Sequence, residues 1–315
     1  MTARPTVGAS VDLGSNSVHL LVAAIEGHAL SPIVDESVFL GLGARVDEHG
    51  HLGQTARAEL ADVIRGYVTA ARRLDASRIT LVGTEPIRRA GDAARIGAEV
   101  EASSGVPLHV LTHEEEAYLT LVGVTEGRPV EQETLVVDIG GGSSEFAAVS
   151  PGGTARAAGL KVGSNRLTTT FVRTDPPTVE DVRAMAEATD ITLRGSLETT
   201  PRQVVAVGGT ASNLLKVAPG GVADRVLTRA RLEAAVDNVL RARAAVTSER
   251  YRINPKRARI LPAGAAIVDA LMRRYGVDRI EISEASLREG AILIADHVGI
   301  AWRDRLPELA HGWRT

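Results

Sequence analysis

Asp138-Ile-Gly140-Gly141-Gly142-Ser143-Ser144-Glu145 places two carboxylates, three glycines and two hydroxyls within eight positions, directly after the apolar run Leu135-Val-Val. Glycines let main-chain N–H groups approach an anion closely, Ser143 and Ser144 add donors, and Asp138 and Glu145 are hard oxygen ligands for a hydrated divalent cation. That is phosphate chemistry. An ordinary glycine-rich hairpin turn uses the same residues, so this stretch alone leaves both readings open. The pattern recurs in Asp12-Leu-Gly14-Ser15-Asn16-Ser17, whose aspartate lies 126 positions before Asp138. Internal duplication of one phosphate-gripping hairpin accounts for the pair better than two unrelated turns. Gly208-Gly209-Thr210, after the apolar Val204-Val-Ala-Val207, is a third such element, with backbone amides at a helix N-terminus.

Cations and bases stand elsewhere. Arg88 and Arg89 follow the buried strand expected at 78–82, and the carboxyl ends of strands in an α/β sheet are where ligands bind. Either arginine could meet an anion or solvent. Glu114, Glu115 and Glu116 follow Thr112, a plausible N-cap, and acidic residues in a first turn suit the helix dipole. Three in a row at the end of a strand exceed what capping needs, which makes one of them a candidate general base. Lys161, Arg166, Lys256, Arg257 and Arg288 could line a polyanion path or form a solvated face. His49 and His51 read as a solvated turn, because no third metal ligand is near in sequence. The chain has no cysteine, which removes disulfides, thiolate metal sites and thiol nucleophiles.

The elements that must position these groups alternate in the α/β manner. Strands are expected at 7–12 and 18–24, and a third at 36–43 runs into a loop at 47–52. A helix follows at 55–74, then strand 78–82, helix 92–103, strand 108–111 and a helix opening at Thr112. The polar stretch 126–133, with Gly127 and Pro129, reads as the break between halves, giving domains 1–125 and 126–315. In the second half, Thr178 with Asp181 marks a helix start and 203–212 a strand feeding a helix. One amphipathic helix is expected over 227–246, a turn at 254–257, a helix over 259–274, a strand at 279–283, and a helix from Leu287 that packs back on the first half.

At 315 residues with 44% hydrophobic content, two cores can be filled. A net charge of −3 and 3% aromatic residues argue against a nucleic-acid polymer as partner. No apolar run reaches the roughly 20 residues of a membrane helix, and the N-terminus lacks the apolar core of a signal peptide, so a cytoplasmic enzyme is expected. Dimerisation is the default for such an enzyme.

Five motifs in order carry a specific resemblance: Val11-Asp-Leu-Gly-Ser-Asn-Ser-Val-His-Leu20, Gly83-Thr-Glu-Pro-Ile-Arg-Arg-Ala90, Glu115-Glu-Ala-Tyr-Leu119, Val137-Asp-Ile-Gly-Gly-Gly-Ser-Ser-Glu145 and Ser283-Glu-Ala-Ser-Leu-Arg-Glu-Gly290. They resemble the exopolyphosphatase and guanosine pentaphosphate phosphohydrolase (Ppx/GppA) family of the actin-like ATPase superfamily, over nearly the whole chain. The resemblance implies two ribonuclease-H-like α/β domains flanking a central cleft. It implies hydrolysis of a terminal phosphoanhydride, on inorganic polyphosphate first and guanosine pentaphosphate second. It also implies Mg²⁺ as cofactor, with K⁺ as a candidate companion.

Carried over position by position, the resemblance makes Glu116 the base, with Glu115 the fallback. Asp138 and Glu145 organise the metal, with Asp12 added. Ser15, Asn16, Arg88, Gly140, Gly141, Gly142 and Ser143 cradle the terminal phosphate, with Gly208, Gly209 and Thr210 as the further phosphate element. Three positions depart from the family pattern: Tyr118 stands where arginine is common, Asp92 where asparagine is frequent, and Ser286 where glycine is. The chain also lacks the additional C-terminal helical domain of longer members, so the processivity that domain supports is not expected. Two rivals keep the same clamp: an ATPase or kinase with Gly208–Thr210 on adenosine or its phosphates, and a non-catalytic phosphate-binding regulator. Retention of Glu116, Asp138 and Glu145 together argues against the regulator.

Overall fold

The computed structural model describes residues 5–314. Its contacts divide the chain into two compact units: one contains the described residues up to Val130 together with Gly152–Ala155 and those from Ala285 onward, the other Glu131–Pro151 and Arg156–Glu284. The division is discontinuous because the C-terminal segment leaves the second unit and packs within the first.

The first unit opens with strands β1 (Thr6–Leu13), β2 (Ser17–Glu26) and β3 (Ala29–Phe39). Helices α1 (Leu42–His49) and α2 (Gly53–Arg73) precede β4 (Arg78–Gly83), and α3 (Glu85–Arg89) and α4 (Ala93–Ser104) precede β5 (Leu108–Val110) and α5 (His113–Thr125). The sheet order is β3-β2-β1-β4-β5, with β1–β3 antiparallel and β1, β4 and β5 parallel. Leu60, Ile64, Val68 and Ala71 recur at helical spacing on α2 and are buried with Val11, Leu13, Leu20 and Leu81 of the sheet.

The second unit repeats the plan: β6 (Thr134–Ile139), β7 (Ser144–Val149), β8 (Arg156–Leu160), α6 (Ser164–Phe171), α7 (Val179–Leu193), β9 (Gln203–Val207), α8 (Gly208–Val217), α9 (Gly221–Asp224), β10 (Val226–Thr228), α10 (Arg229–Leu240), α11 (Ala244–Tyr251), α12 (Pro255–Tyr275) and β11 (Arg279–Ile282). Its order is β10-β11-β9-β6-β7-β8. Strands β6, β7 and β8 form the antiparallel meander, and β9 and β11 continue parallel to β6. The five strands β8-β7-β6-β9-β11 thus reproduce β3-β2-β1-β4-β5. The core is built on the buried, small-residue-rich α12 and on Phe146, Leu214 and Leu271. Two helices, α13 (Leu287–Val298) and α14 (Trp302–Leu309), then return to the first unit.

Three expectations need correction. The third strand begins at Ala29 and ends at Phe39, and Asp47, Glu48 and His49 belong to α1, which closes on Gly50 in the left-handed region (φ 74°). The span 227–246 is not one helix. Residues 226–228 pair with β11, α10 ends at Leu240, and α11 restarts at Ala244, whose N–H donates to Asp175. Residues 302–309, unassigned from sequence, are helical. No described helix is long and apolar enough to cross a membrane.

Candidate active site

The two glycine/serine hairpins are built alike. Asp12 and Asp138 each stand near the end of the first strand, and the tip closes through Gly14 N–H to Ser17 O (3.1 Å) in one and Gly140 N–H to Ser143 O (3.0 Å) in the other. In both, carbonyls of the tip dock on the segment that leads into the next helix. Ser15 O accepts from Gly43 N–H (2.8 Å) and Asn16 O from Gly41 N–H (2.9 Å), while Gly140 O accepts from Ser164 N–H (3.1 Å) and Gly141 O from Arg166 N–H (2.9 Å). Arg166 also donates its Nε–H to Gly142 O at 2.7 Å. A trans peptide points its N–H opposite to its C=O. The N–H groups of Gly141, Gly142 and Ser143 therefore turn away from α6, as a row of donors suited to an anion. Gly163 permits this docking, since a Cβ there would sit 2.4 Å from Gly141 O.

What differs is the residue opposite the aspartate. The register pairs Asp138 with Glu145, but Asp12 with His19. Glu145 is 2% exposed, and burial pushes the Asp138 carboxyl up to about 6. Two carboxylates directly opposite on adjacent strands repel. A hard divalent cation offsets that cost, so the donor set of the second hairpin fits Mg²⁺.

Gly208 brings a third phosphate-suited element to Asp138. It holds φ 93°, and a Cβ there would lie 2.8 Å from Asp138 Oδ1, so only glycine lets the start of α8 reach the carboxylate. Thr210 Oγ1 is 2.9 Å from Ser164 Oγ, which ties this helix start to the one that supports the hairpin tip. Arg257 lies over Gly209, where a Cβ would meet Nη1 at 3.4 Å. Lys161 and Lys256 are exposed, whereas Arg288 is ion-paired with Asp35 at 2.6 Å. Of the expected polyanion path, Arg166 and Arg288 hold their own unit together.

In the first unit, α5 starts with a reciprocal capping box: Glu115 N–H donates to Thr112 Oγ1 (3.1 Å) and Thr112 N–H to Glu115 Oε2 (2.7 Å). Arg303 of α14 binds the same carboxylate through Nε (2.5 Å) and Nη2 (2.9 Å). Burial works against the charge on Glu115, but Arg303 and the Thr112 N–H outweigh it and hold the group below the usual carboxylate range. Glu115 is thereby committed to structure.

Glu116, one residue on, is buried at 6% exposure and accepts from Arg88 Nη1 at 3.1 Å. Arg88 also donates to Leu111 O (2.6 Å), and its Nη2 meets His113 Nδ1 at 2.9 Å. Arg89 turns elsewhere, to Asp47 and Glu85 at 2.7 Å each and to Gly43 O at 2.9 Å. The sequence left the two arginines equivalent. The structure puts Arg88 beside the candidate base and gives Arg89 to α1, with Glu85, which also accepts from Ser15 Oγ (3.3 Å), as its anchor.

Two departures from the family pattern have structural work to do. Asp92 accepts from Leu52 N–H (3.0 Å), Gly53 N–H (3.3 Å) and Arg57 Nη1 (2.7 Å), pinning the start of α2. Tyr118 packs with the apolar residues of α5, α13 and α14 and donates to Ala155 O at 3.4 Å. Ser286 needs no glycine freedom: its φ is −148°, and its N–H donates to Glu289 Oε2 at 2.8 Å.

Comparison with known proteins finds relatives over nearly the whole chain. The model of the Ppx/GppA phosphatase family matches residues 21–296. The chain is 29% identical over 296 residues to exopolyphosphatase 1 of Mycobacterium leprae, covering 90% of this chain and 87% of that protein. It is 27% identical over 287 residues to the guanosine-5'-triphosphate,3'-diphosphate pyrophosphatase of Vibrio vulnificus, covering 90% of this chain but 58% of that one. The crystal structure of the Aquifex aeolicus Ppx/GppA family member superposes with a TM-score of 0.81 at 29% identity, covering 91% of this chain and 96% of that one.

Proposed function

Because the chain belongs to the Ppx/GppA phosphatase family, we propose that it hydrolyses terminal phosphoanhydride bonds, with inorganic polyphosphate as the main substrate and orthophosphate as the product. The observation that carries the reading is the pair on α3 and α5: a buried glutamate, Glu116, hydrogen-bonded to an arginine that arrives from the end of a parallel strand. Glu116 is the general base and takes a proton from the attacking water. Arg88 grips the terminal phosphate and meets charge as it develops on the equatorial oxygens. From the first hairpin, Ser15 and Asn16 add donors. Within the second unit, the phosphate-suited groups are the N–H row of Gly141, Gly142 and Ser143 and the helix start at Gly208, Gly209 and Thr210. Within the second unit, Asp138 and Glu145 are the residues that would hold Mg²⁺, which when bound would offset the charge of the substrate, and Asp12 is the corresponding candidate carboxylate of the first unit.

Guanosine pentaphosphate is the second substrate to consider, supported by the similarity to the Vibrio pyrophosphatase. We infer a homodimer working in the cytoplasm as the setting for either.

The test is phosphate release from polyphosphate and from guanosine pentaphosphate by the purified chain with Mg²⁺. Polyphosphate turnover supports the reading, and release from the nucleotide alone overturns the substrate assignment. Glu116→Gln is expected to lower kcat by about 10²- to 10⁴-fold while polyphosphate affinity stays within about threefold. Near wild-type turnover would remove Glu116 from the role of base.

A further inference from the structure

We propose that Arg303 is a positioning residue for the hydrolysis: from α14 it clamps the first turn of α5 through Glu115 and so sets where the base, Glu116, stands. The proposal rests on the phosphohydrolase reading above and adds to it a helix that lies beyond residues 21–296, the stretch matched by the family model.

Arg303 binds both oxygens of one carboxylate. Its Nε donates to Glu115 Oε1 at 2.5 Å and its Nη2 to Oε2 at 2.9 Å, a charge-assisted bidentate pair that fixes direction as well as distance. Nη2 also donates to the carbonyl of Val110, the last residue of β5, at 2.8 Å. One guanidinium thereby ties the end of β5 to the start of α5, on either side of Leu111 and Thr112. The arginine is itself firmly carried. Trp302 and Leu306, on the same helix, are buried with Leu111, Leu119 and Val122, and the Trp302 ring meets His109 of β5 edge-on, with 5.2 Å between centroids.

Helix ends fray because their first N–H groups have no partner within the helix. In α5 that turn also carries Glu114, Glu115 and Glu116 in succession, and neighbouring like charges repel. The capping box satisfies two N–H groups there. Arg303 supplies the countercharge and holds the Glu115 carboxylate, and with it the cap, in one position. Successive helix residues are about 100° apart around the axis. Fixing Glu115 towards α14 therefore fixes Glu116 on the adjoining face, where it is buried and meets Arg88. A catalytic group displaced by about 1 Å loses much of its effect, so the role needs no contact between Arg303 and substrate.

A double-mutant cycle, with steady-state kinetics on polyphosphate at a temperature well below the Tm of every variant, tests the assignment. Arg303→Ala and Glu115→Ala should each lower kcat by about tenfold while KM stays within about threefold. Because the arginine acts through the glutamate, the double variant should lose about tenfold and not about a hundredfold. A contact that only stabilised the fold would lower Tm and leave kcat at this temperature unchanged. Wild-type kcat in Arg303→Ala, or a double variant that loses the product of the two single effects, overturns the proposal. Independently of turnover, amide hydrogen exchange at Glu115 and Glu116 should be about tenfold faster in Arg303→Ala than in the wild type, with the amides of β1 and β2 unchanged. Unchanged exchange at Glu115 and Glu116 overturns it. If the wild type releases no phosphate from either substrate, the functional reading fails, and the exchange measurement still decides whether Arg303 clamps the helix start.

Discussion

Asp138 and Asp92 are both carboxylates withdrawn from water, and their surroundings drive them in opposite directions. Burial alone pushes Asp138 up to about 6 from its ordinary 3.8. At Asp92 burial also opposes the charge, but the N–H groups of Leu52 and Gly53 and the guanidinium of Arg57 outweigh it and hold the group below its ordinary range. The consequences for stability have opposite sign. In the metal-free protein the folded state keeps a proton on Asp138 that the unfolded state releases, so this group costs stability as pH rises from about 4 to about 6. Asp138→Asn should therefore raise Tm at pH 8 in the absence of Mg²⁺, with the gain disappearing at pH 4. Asp92 contributes stability that is present above its unfolded value and is lost as pH falls through its lower folded value. Asp92→Asn, although it installs the residue common in the family, should lower Tm at pH 8, and the gap should close in acid. Thermal unfolding of both variants against wild type at the two pH values checks the signs, and a pH-independent gap for either would remove the assigned cause.

The element that most constrains the first unit is the crossing of α5 and α13. A Cβ on Gly290 would lie 1.8 Å from Leu119 O, and one on Gly123 would lie 2.0 Å from Ser286 O, so the two helices touch backbone to backbone. No rotamer change relieves a contact with a carbonyl. Gly290→Ala should cost about 3 kcal/mol or more and lower Tm by on the order of 10 °C; a Tm within about 2 °C of wild type would mean that the helices can separate freely. This crossing explains what could be read from sequence and what could not. The Thr112 and Thr178 starts were legible because a capping box is local: both partners lie within four residues. The return of α13 was legible as a helix starting at Leu287 and packing back on the first half, but its partner there, Gly123, gave no sign of its role. The break at 241–243 was hidden because Arg229–Leu240 and Ala244–Tyr251 are both amphipathic, and the interruption is set by a distant carboxylate, Asp175, capping Ala244. Likewise, Arg88 and Arg89 are indistinguishable in sequence; only the direction in which α3 turns them sends one to Glu116 and the other to Asp47.

At the scale of the molecule, one five-strand plan is used twice, with different residues on the two hairpins. The hairpins share the aspartate, the closing Gly-to-Ser hydrogen bond and the docking of tip carbonyls ahead of a helix. They differ at the tip, Ser15-Asn16 against Gly141-Gly142, and at the cross-strand position, where Glu145 stands opposite Asp138 and His19 opposite Asp12. Histidine is a poor ligand for Mg²⁺, which prefers carboxylate and water oxygens. The donor set of the second hairpin therefore suits the ion better, and the first sets its aspartate opposite a histidine. The sequence showed the duplication and, through the resemblance, treated Asp12, Asp138 and Glu145 as one set. The register makes them unequal. Asp138→Asn and Glu145→Gln should each raise the Mg²⁺ concentration for half-maximal phosphate release by about tenfold or more, and Asp12→Asn by no more than about threefold. A Mg²⁺ titration of activity at fixed polyphosphate, with kcat at saturating metal recorded for each variant, separates the two effects. Equal shifts in all three variants would show that the first hairpin has the same metal role as the second, and that a histidine opposite Asp12 costs it nothing.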